Sequence, residues 1–108
     1  MNYIVQIMNI KPDHFNILRK VHKNPNVSQR ELSRELNLSL GKLNYCLKEL
    51  KKKGLLKIKN FKKNPNKINY LYILTPRGIS TKTKITVDFM KKKMKEFDEL
   101  KAELESNK

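Results

Sequence analysis

Val27-Ser-Gln-Arg-Glu-Leu-Ser-Arg-Glu-Leu-Asn-Leu-Ser-Leu-Gly-Lys-Leu-Asn-Tyr-Cys-Leu-Lys-Glu-Leu50 is the stretch whose reading decides the fold. Ser28, followed three residues later by Glu31, has the form of a capping box, in which a hydroxyl and a carboxylate satisfy backbone N–H groups at a helix start. Leu32 and Leu36 give that short helix one buried edge. Asn37-Leu38-Ser39 leaves room only for a tight turn. Ser39 then caps a longer helix, predicted from about Leu40 to Lys53. Leu40, Leu43, Leu47 and Leu50 recur at three- and four-residue spacing, which predicts one stripe facing the core. Gly54 follows three lysines, as expected where a basic last turn ends in a left-handed residue.

Upstream, Phe15, Leu18 and Val21 share a helical face with Ile17 beside them. That helix opens at Pro12-Asp13 and ends at Asn24-Pro25-Asn26, because proline lacks a donor and restricts its predecessor. Downstream the period changes to two: Leu56 and Ile58 alternate with Lys57 and Lys59. Asn69 to Leu74 reads as a second strand. Between the strands, Lys62-Lys63-Asn64-Pro65-Asn66-Lys67 reads as a polar turn. The order of helix, short helix, tight turn and longer helix, followed by a hairpin, is a winged helix-turn-helix. The expected fold class is therefore mainly α with a small β-hairpin, plus a long C-terminal helix. Its expected parts are an N-terminal extension over 1–11, a DNA-binding domain over 12–75 and a dimerisation helix over 76–108. The apolar run Tyr3 to Ile10 is too short to span a bilayer and reads as a strand or short helix packing on the core. It also lacks the features of a signal peptide.

The chemistry sits on the outer face of the Ser39 helix. The major groove admits one α-helix, whose N-terminal residues reach base edges. With the leucines turned inward, Gly41, Lys42, Asn44, Tyr45 and Lys48 are the exposed set. Gly41 permits close approach, Lys42 suits guanine or phosphate, and Asn44 carries the paired donor and acceptor that match adenine. Tyr45 suits phosphate or a thymine methyl. Ser28, Gln29 and Arg30 begin the preceding helix, where free N–H groups and the dipole favour a phosphate.

Charge placement agrees. The chain carries 25 Lys and Arg against 10 Asp and Glu, for a net charge of +15, which favours a polyanionic partner. From Lys51 to Lys67 there are eight lysines and no acid, whereas half of the acids lie between Glu96 and Glu105. Lys59, Lys62, Lys63, Asn64 and Lys67 are thus expected to hold phosphates or the minor groove and to set register more than sequence.

Other chemistry is not indicated. One cysteine, Cys46, allows no internal disulfide and suits a reducing compartment, so the cytoplasm is expected. Cys46 reads as a small, partly buried core residue in preference to a redox sensor. His14 and His22 stand apart from any metal-ligand spacing, so no metal is expected. No phosphate-binding glycine loop or catalytic constellation is present, so neither an enzyme nor a cofactor is expected. No membrane association is expected either.

Thr75-Pro76 caps a final helix running to about Glu105. Val87, Met90, Met94, Phe97 and Leu104 fall at alternating three- and four-residue spacing, interrupted at Lys101 and flanked by Leu100. Such a seam calls for a partner helix.

The run from Asn24 to Leu36, the run from Ser39 to Leu50, Lys53-Gly-Leu, and Asn69-Tyr-Leu-Tyr-Ile-Leu-Thr-Pro-Arg-Gly78 together resemble a MarR-type winged helix regulator. More narrowly they resemble the subgroup associated with exopolysaccharide gene clusters. The resemblance covers roughly Asp13 to Leu104. It implies a bacterial transcriptional regulator that binds double-stranded DNA with two-fold symmetry as a homodimer. Carried over by position, Ser39, Gly41, Lys42, Asn44 and Tyr45 would read the groove, with the Lys59 to Lys67 wing as flanking contact. MarR-type proteins usually build their dimer domain from helices at both ends, with effector pockets nearby. Only about ten residues precede the first helix here, so dimerisation is expected to fall on the C-terminal helix, and the resemblance names no effector. The competing expectation is a protein-interaction adaptor on the same fold, motivated by that seam and by Tyr70 and Tyr72 read as exposed.

Overall fold

The computed structural model describes the backbone of residues 11–64 and 67–107, with side chains for 11–60 and 70–107. The segment expected to pack as a strand or short helix, Tyr3 to Ile10, lies outside the described residues.

Helix α1 (Pro12–Lys23) has proline in its first turn and ends at Asn24. Its apolar residues Phe15, Ile17, Leu18 and Val21 are all buried. Helix α2 (Gln29–Leu36) starts at Ser28, whose Oγ accepts the Glu31 N–H at 3.1 Å. It stops at Asn37, which adopts the left-handed conformation (φ 56°, ψ 46°) that asparagine tolerates better than most residues. The turn is then locked by the Ser33 hydroxyl donating to the Leu38 carbonyl at 2.6 Å. Helix α3 (Leu40–Lys52) begins at Ser39, whose Oγ accepts the Lys42 N–H at 3.1 Å.

Gly54 takes φ 73°, the conformation for which glycine was expected there. Strands β1 (Leu56–Asn64) and β2 (Lys67–Leu74) form one antiparallel pair, with Leu56 opposite Leu74 and Ile58 opposite Tyr72. The hairpin is longer than the alternation suggested. Lys62, Lys63, Asn64 and Lys67 lie on the strands instead of in a broad loop tip. The register shifts between Lys62 and Asn64, a bulge that accommodates one extra residue before the turn.

Helix α4 (Pro76–Ser106) carries 31 residues and is therefore about 45 Å long. Thr75 anchors its start: its Oγ1 accepts the Gly78 N–H at 3.0 Å and donates to the Gly54 carbonyl at 2.6 Å. Gly78 is required by proximity. A Cβ there would run into the Leu55 carbonyl oxygen, which already accepts the Thr75 N–H. Gly78, Thr81 and Ile85 bury the first half of α4 on the domain. Beyond it, every residue from Phe89 to Asn107 is exposed, and the molecule stretches to 68 × 26 × 21 Å.

The core lies where α1, α2 and α3 meet the base of the hairpin. Leu32, Leu43 and Leu50 are fully enclosed, with Leu55, Leu56 and Leu74 closing the sheet side. Two expectations need correction. The apolar spacing places Leu40 in the core stripe, but it is 44% exposed. It occupies the first position of α3, one turn beyond the layer formed by Leu43, Cys46, Leu47 and Leu50. Tyr72, expected to be exposed, is 1% exposed, because β2 turns it toward the helices. Its backbone N–H donates to the Pro25 carbonyl at 3.0 Å, tying the wing to the loop between α1 and α2.

Candidate nucleic-acid interface

The Ser39 cap fixes where α3 begins, and the buried leucines fix its rotation. Leu43, Cys46, Leu47 and Leu50 turn inward, so Gly41, Lys42, Asn44, Tyr45 and Lys48 stand exposed along the opposite side. Lys51 and Lys52 continue that exposed side. The Lys42 ammonium lies 5.7 Å from the centre of the Tyr45 ring, within cation–π range, so the two form one cationic-aromatic unit near the helix start. Glu49, the single acid in α3, is half-buried and paired with Lys53 at 3.5 Å. The outward face of α3 consequently presents cations, an amide and a phenol, without a carboxylate to repel phosphate.

Ser28 and Arg30 are exposed at the start of α2. Gln29 differs from them. It is half-buried and its side chain lies beside the Tyr72 hydroxyl, to which it makes no hydrogen bond of good geometry. Burial pushes the Tyr72 phenol above its ordinary value, and Gln29 pulls the other way. Gln29 therefore sits between the start of α2 and the wing.

On the wing, Lys57, Lys59 and Asn60 are exposed on β1, and Tyr70 is exposed on β2. Lys62, Lys63, Asn64 and Lys67 occupy the distal ends of the two strands. The sites expected for groove reading and for phosphate holding are thus on separate elements: α3 for the first, and the start of α2 and the hairpin for the second.

Cys46 is 1% exposed, and burial raises its thiol above the ordinary value despite nearby Lys42. A reactive thiolate needs the reverse. Among the described residues, no cluster of three or more histidines, cysteines or carboxylates could hold a metal ion. Among the same residues, no helix is long and apolar enough to cross a membrane.

Two features escaped the sequence reading. His14 is 3% exposed, with neither ring nitrogen hydrogen-bonded. Burial, then Lys53 and Lys11, hold its pKa below the ordinary 6.5, against the opposing pull of Glu49 and Asp13. Its spacing of three, four and seven residues from buried Ile17, Leu18 and Val21 was the available signal. The second is a cleft of about 490 Å³ between α1 and α4, lined among others by Arg19, Lys20, His22, Lys23 and Lys82. The basic run in the second half of α1 was its sequence trace.

A family profile described as winged helix-turn-helix DNA-binding matches residues 14–57. A search of curated proteins by sequence gave no match. Among solved structures, the chain is similar to Staphylococcus aureus MarR in complex with salicylate and kanamycin. That likeness has a TM-score of 0.73 at 21% identity, over 89% of this chain and 63% of that one. It is also similar to S. aureus MepR in a DNA complex, with a TM-score of 0.71 at 17% identity, over 99% of this chain and 88% of that one. The transcriptional repressor CouR, bound to a 23-mer DNA duplex, aligns with a TM-score of 0.65 at 21% identity, over 76% of this chain and 56% of that one. At such identities the likeness is one of fold: the protein has the winged helix-turn-helix architecture seen in MarR-family regulators. The chain spans a little under two thirds of the length of S. aureus MarR.

Proposed function

We propose that this protein is a MarR-like, DNA-binding transcriptional regulator that acts in the cytoplasm as a homodimer on a two-fold DNA site. The observation that carries this reading is the outward face of α3: Lys42, Asn44, Tyr45 and Lys48 exposed, and its one acid paired away. Lys42 and Asn44, near the helix start, read base edges. Ser39, Gly41 and Tyr45 complete that groove-reading set, while Ser28, Arg30 and the wing residues Lys59, Lys62, Lys63, Asn64 and Lys67 hold the backbone, with Gln29 keeping the α2 start against the wing. Val87, Met90, Met94, Phe97, Leu100 and Leu104 form the dimer seam. The MepR and CouR structures, which contain DNA, support a DNA role for this architecture. The narrower sequence resemblance points to exopolysaccharide-related genes as the regulated set.

Selection from a random duplex library tests this directly, with recovery of a symmetric motif as the expected outcome. Failure to bind any duplex at low salt would sink the reading. Binding is expected to weaken steeply with salt, because several phosphates are neutralised. Replacing both Lys42 and Asn44 by Ala is expected to abolish selection of the motif. An adaptor on the same fold would be indifferent to that change, and it also loses half of its exposed-tyrosine basis now that Tyr72 belongs to the core.

A further inference from the structure

The distal half of α4 is covered by nothing else in the described chain. Met90 is 57% exposed, Met94, Phe97 and Leu100 are each 64% exposed, and Leu104 is 66% exposed. Positions 87, 90, 94, 97, 101 and 104 step by three and four, the seam of a coiled coil with Lys101 as its polar member. The charges on this helix are segregated lengthwise. Lys82 to Lys95 contains six lysines and one aspartate, while Glu96 to Glu105 contains five acids and one lysine.

We propose that α4 pairs with α4 of a second copy of this chain in the antiparallel sense, so that each acidic tip lies against the other copy's basic middle. This rests on the dimer reading above and adds its direction and register. A parallel, in-register pair sets lysines beside lysines and acids beside acids along the whole contact. It also stacks Lys101 on Lys101 inside the apolar seam. An antiparallel pair centred on the stripe sets Val87 opposite Leu104, Met94 opposite Phe97 and Lys101 opposite Met90.

The residues bordering the seam select the same arrangement. Lys84, Lys91, Asp98 and Glu105 follow one another at seven-residue intervals along one edge. In the antiparallel register Lys84 of one copy meets Glu105 of the other, and Lys91 meets Asp98, each pair occurring twice by symmetry. Opposite charges on coiled-coil edges set partner orientation in this way. The foot of the helix is matched as well. The basic cleft of Arg19, Lys20, Lys23 and Lys82 opens beside Thr86, where the acidic end of the other copy's helix arrives.

Cysteine cross-linking of the full chain tests the direction, since native Cys46 is buried. Antiparallel pairing separates the two copies of residue 104 by about 25 Å along the axis. Leu104→Cys alone is therefore expected not to cross-link under mild oxidation, while an equimolar mixture of Val87→Cys and Leu104→Cys chains does so. Self-cross-linking of Leu104→Cys would overturn the antiparallel direction and leave the dimer standing. A monomer in sedimentation of the unaltered chain at micromolar concentration would overturn the dimer reading itself. A charge exchange supplies the second test. Lys84→Glu with Lys91→Glu makes one edge wholly acidic, and Asp98→Lys with Glu105→Lys makes it wholly basic. Each double variant is expected to dimerise poorly alone, and their mixture to associate at least about tenfold more tightly. A mixture no tighter than its components would refute the proposed register.

Discussion

Helix α3 and the distal half of α4 are built on the same apolar rhythm and meet opposite fates. In α3 the repeat of Leu43, Leu47 and Leu50 is sealed to 2% exposure or less, whereas Met94 and Phe97, equally regular, are 64% exposed. The three-and-four spacing specifies which side of a helix gains from burial, not what will cover it. Around α3 the short turns at Asn24–Val27 and Asn37–Ser39 bring α1 and α2 back against it. Among the described residues beyond Val87 no turn brings another element against α4, so its apolar side is offered outward. The polar sides differ as well. The outward face of α3 is free of acid, as suits a phosphate-rich partner, whereas distal α4 carries both signs in separate blocks, as suits a copy of itself.

This contrast can be broken most severely in the core. Leu43→Ala is expected to lose about 2–5 kcal/mol of folding stability in urea titration, through lost burial and the cavity left behind. A loss below about 1 kcal/mol would mean that the α3 stripe is less tightly packed than its burial indicates. Next is the junction of the two regions. Gly78→Ala forces a methyl group into the Leu55 carbonyl, which Thr75 already holds in place, and is expected to cost about 1–3 kcal/mol. Ser39→Ala leaves the start of α3 uncapped and is expected to cost about 1 kcal/mol while weakening duplex binding.

A pH effect sharpens the contrast further, since His14 belongs to the packed domain alone. Its folded-state pKa is lowered, chiefly by burial, so the unfolded chain takes up the proton first as pH falls. The contribution of neutral His14 is complete well above pH 6.5 and declines as pH drops through 6.5 toward the lower folded-state value. Thermal melts of wild type and His14→Phe are expected to diverge over that window, with the wild type losing more stability on acidification. Parallel curves would show that His14 does not titrate on unfolding. The smallest effect on folding is expected at Phe97→Ala, within about 0.5 kcal/mol for the single copy, because the side chain is 64% exposed. Its effect is expected in sedimentation instead, as weaker self-association.

Much of the winged domain was legible in the residues because its signals are local. The serine caps at 28 and 39, the break at Pro25 and the glycine at 54 each act within one or two turns of chain, and all lie where the sequence placed them. The candidate interface followed from them, since cap and stripe together set which side of α3 faces out. The wing was legible in its pairing and not in its extent. Polar residues at 62–64 and 67 carry turn chemistry, yet backbone pairing with a bulge extends the ladder through them.

The sequence alone determined the order of elements, the inward faces of α1, α2 and α3 and the lengthwise separation of charge in α4. Each of these depends on residues only a few positions apart. The tertiary structure decided how far burial reaches: Leu40 left outside the core, Tyr72 drawn in beside Gln29, His14 enclosed, and Gly78 pressed on Leu55. Those outcomes depend on groups distant in the chain meeting across the fold, such as Tyr72 with Gln29 and Gly78 with Leu55. A hydrogen bond such as Thr75 to Gly54 joins positions 21 residues distant, and no periodicity within one segment specifies which neighbour will be there.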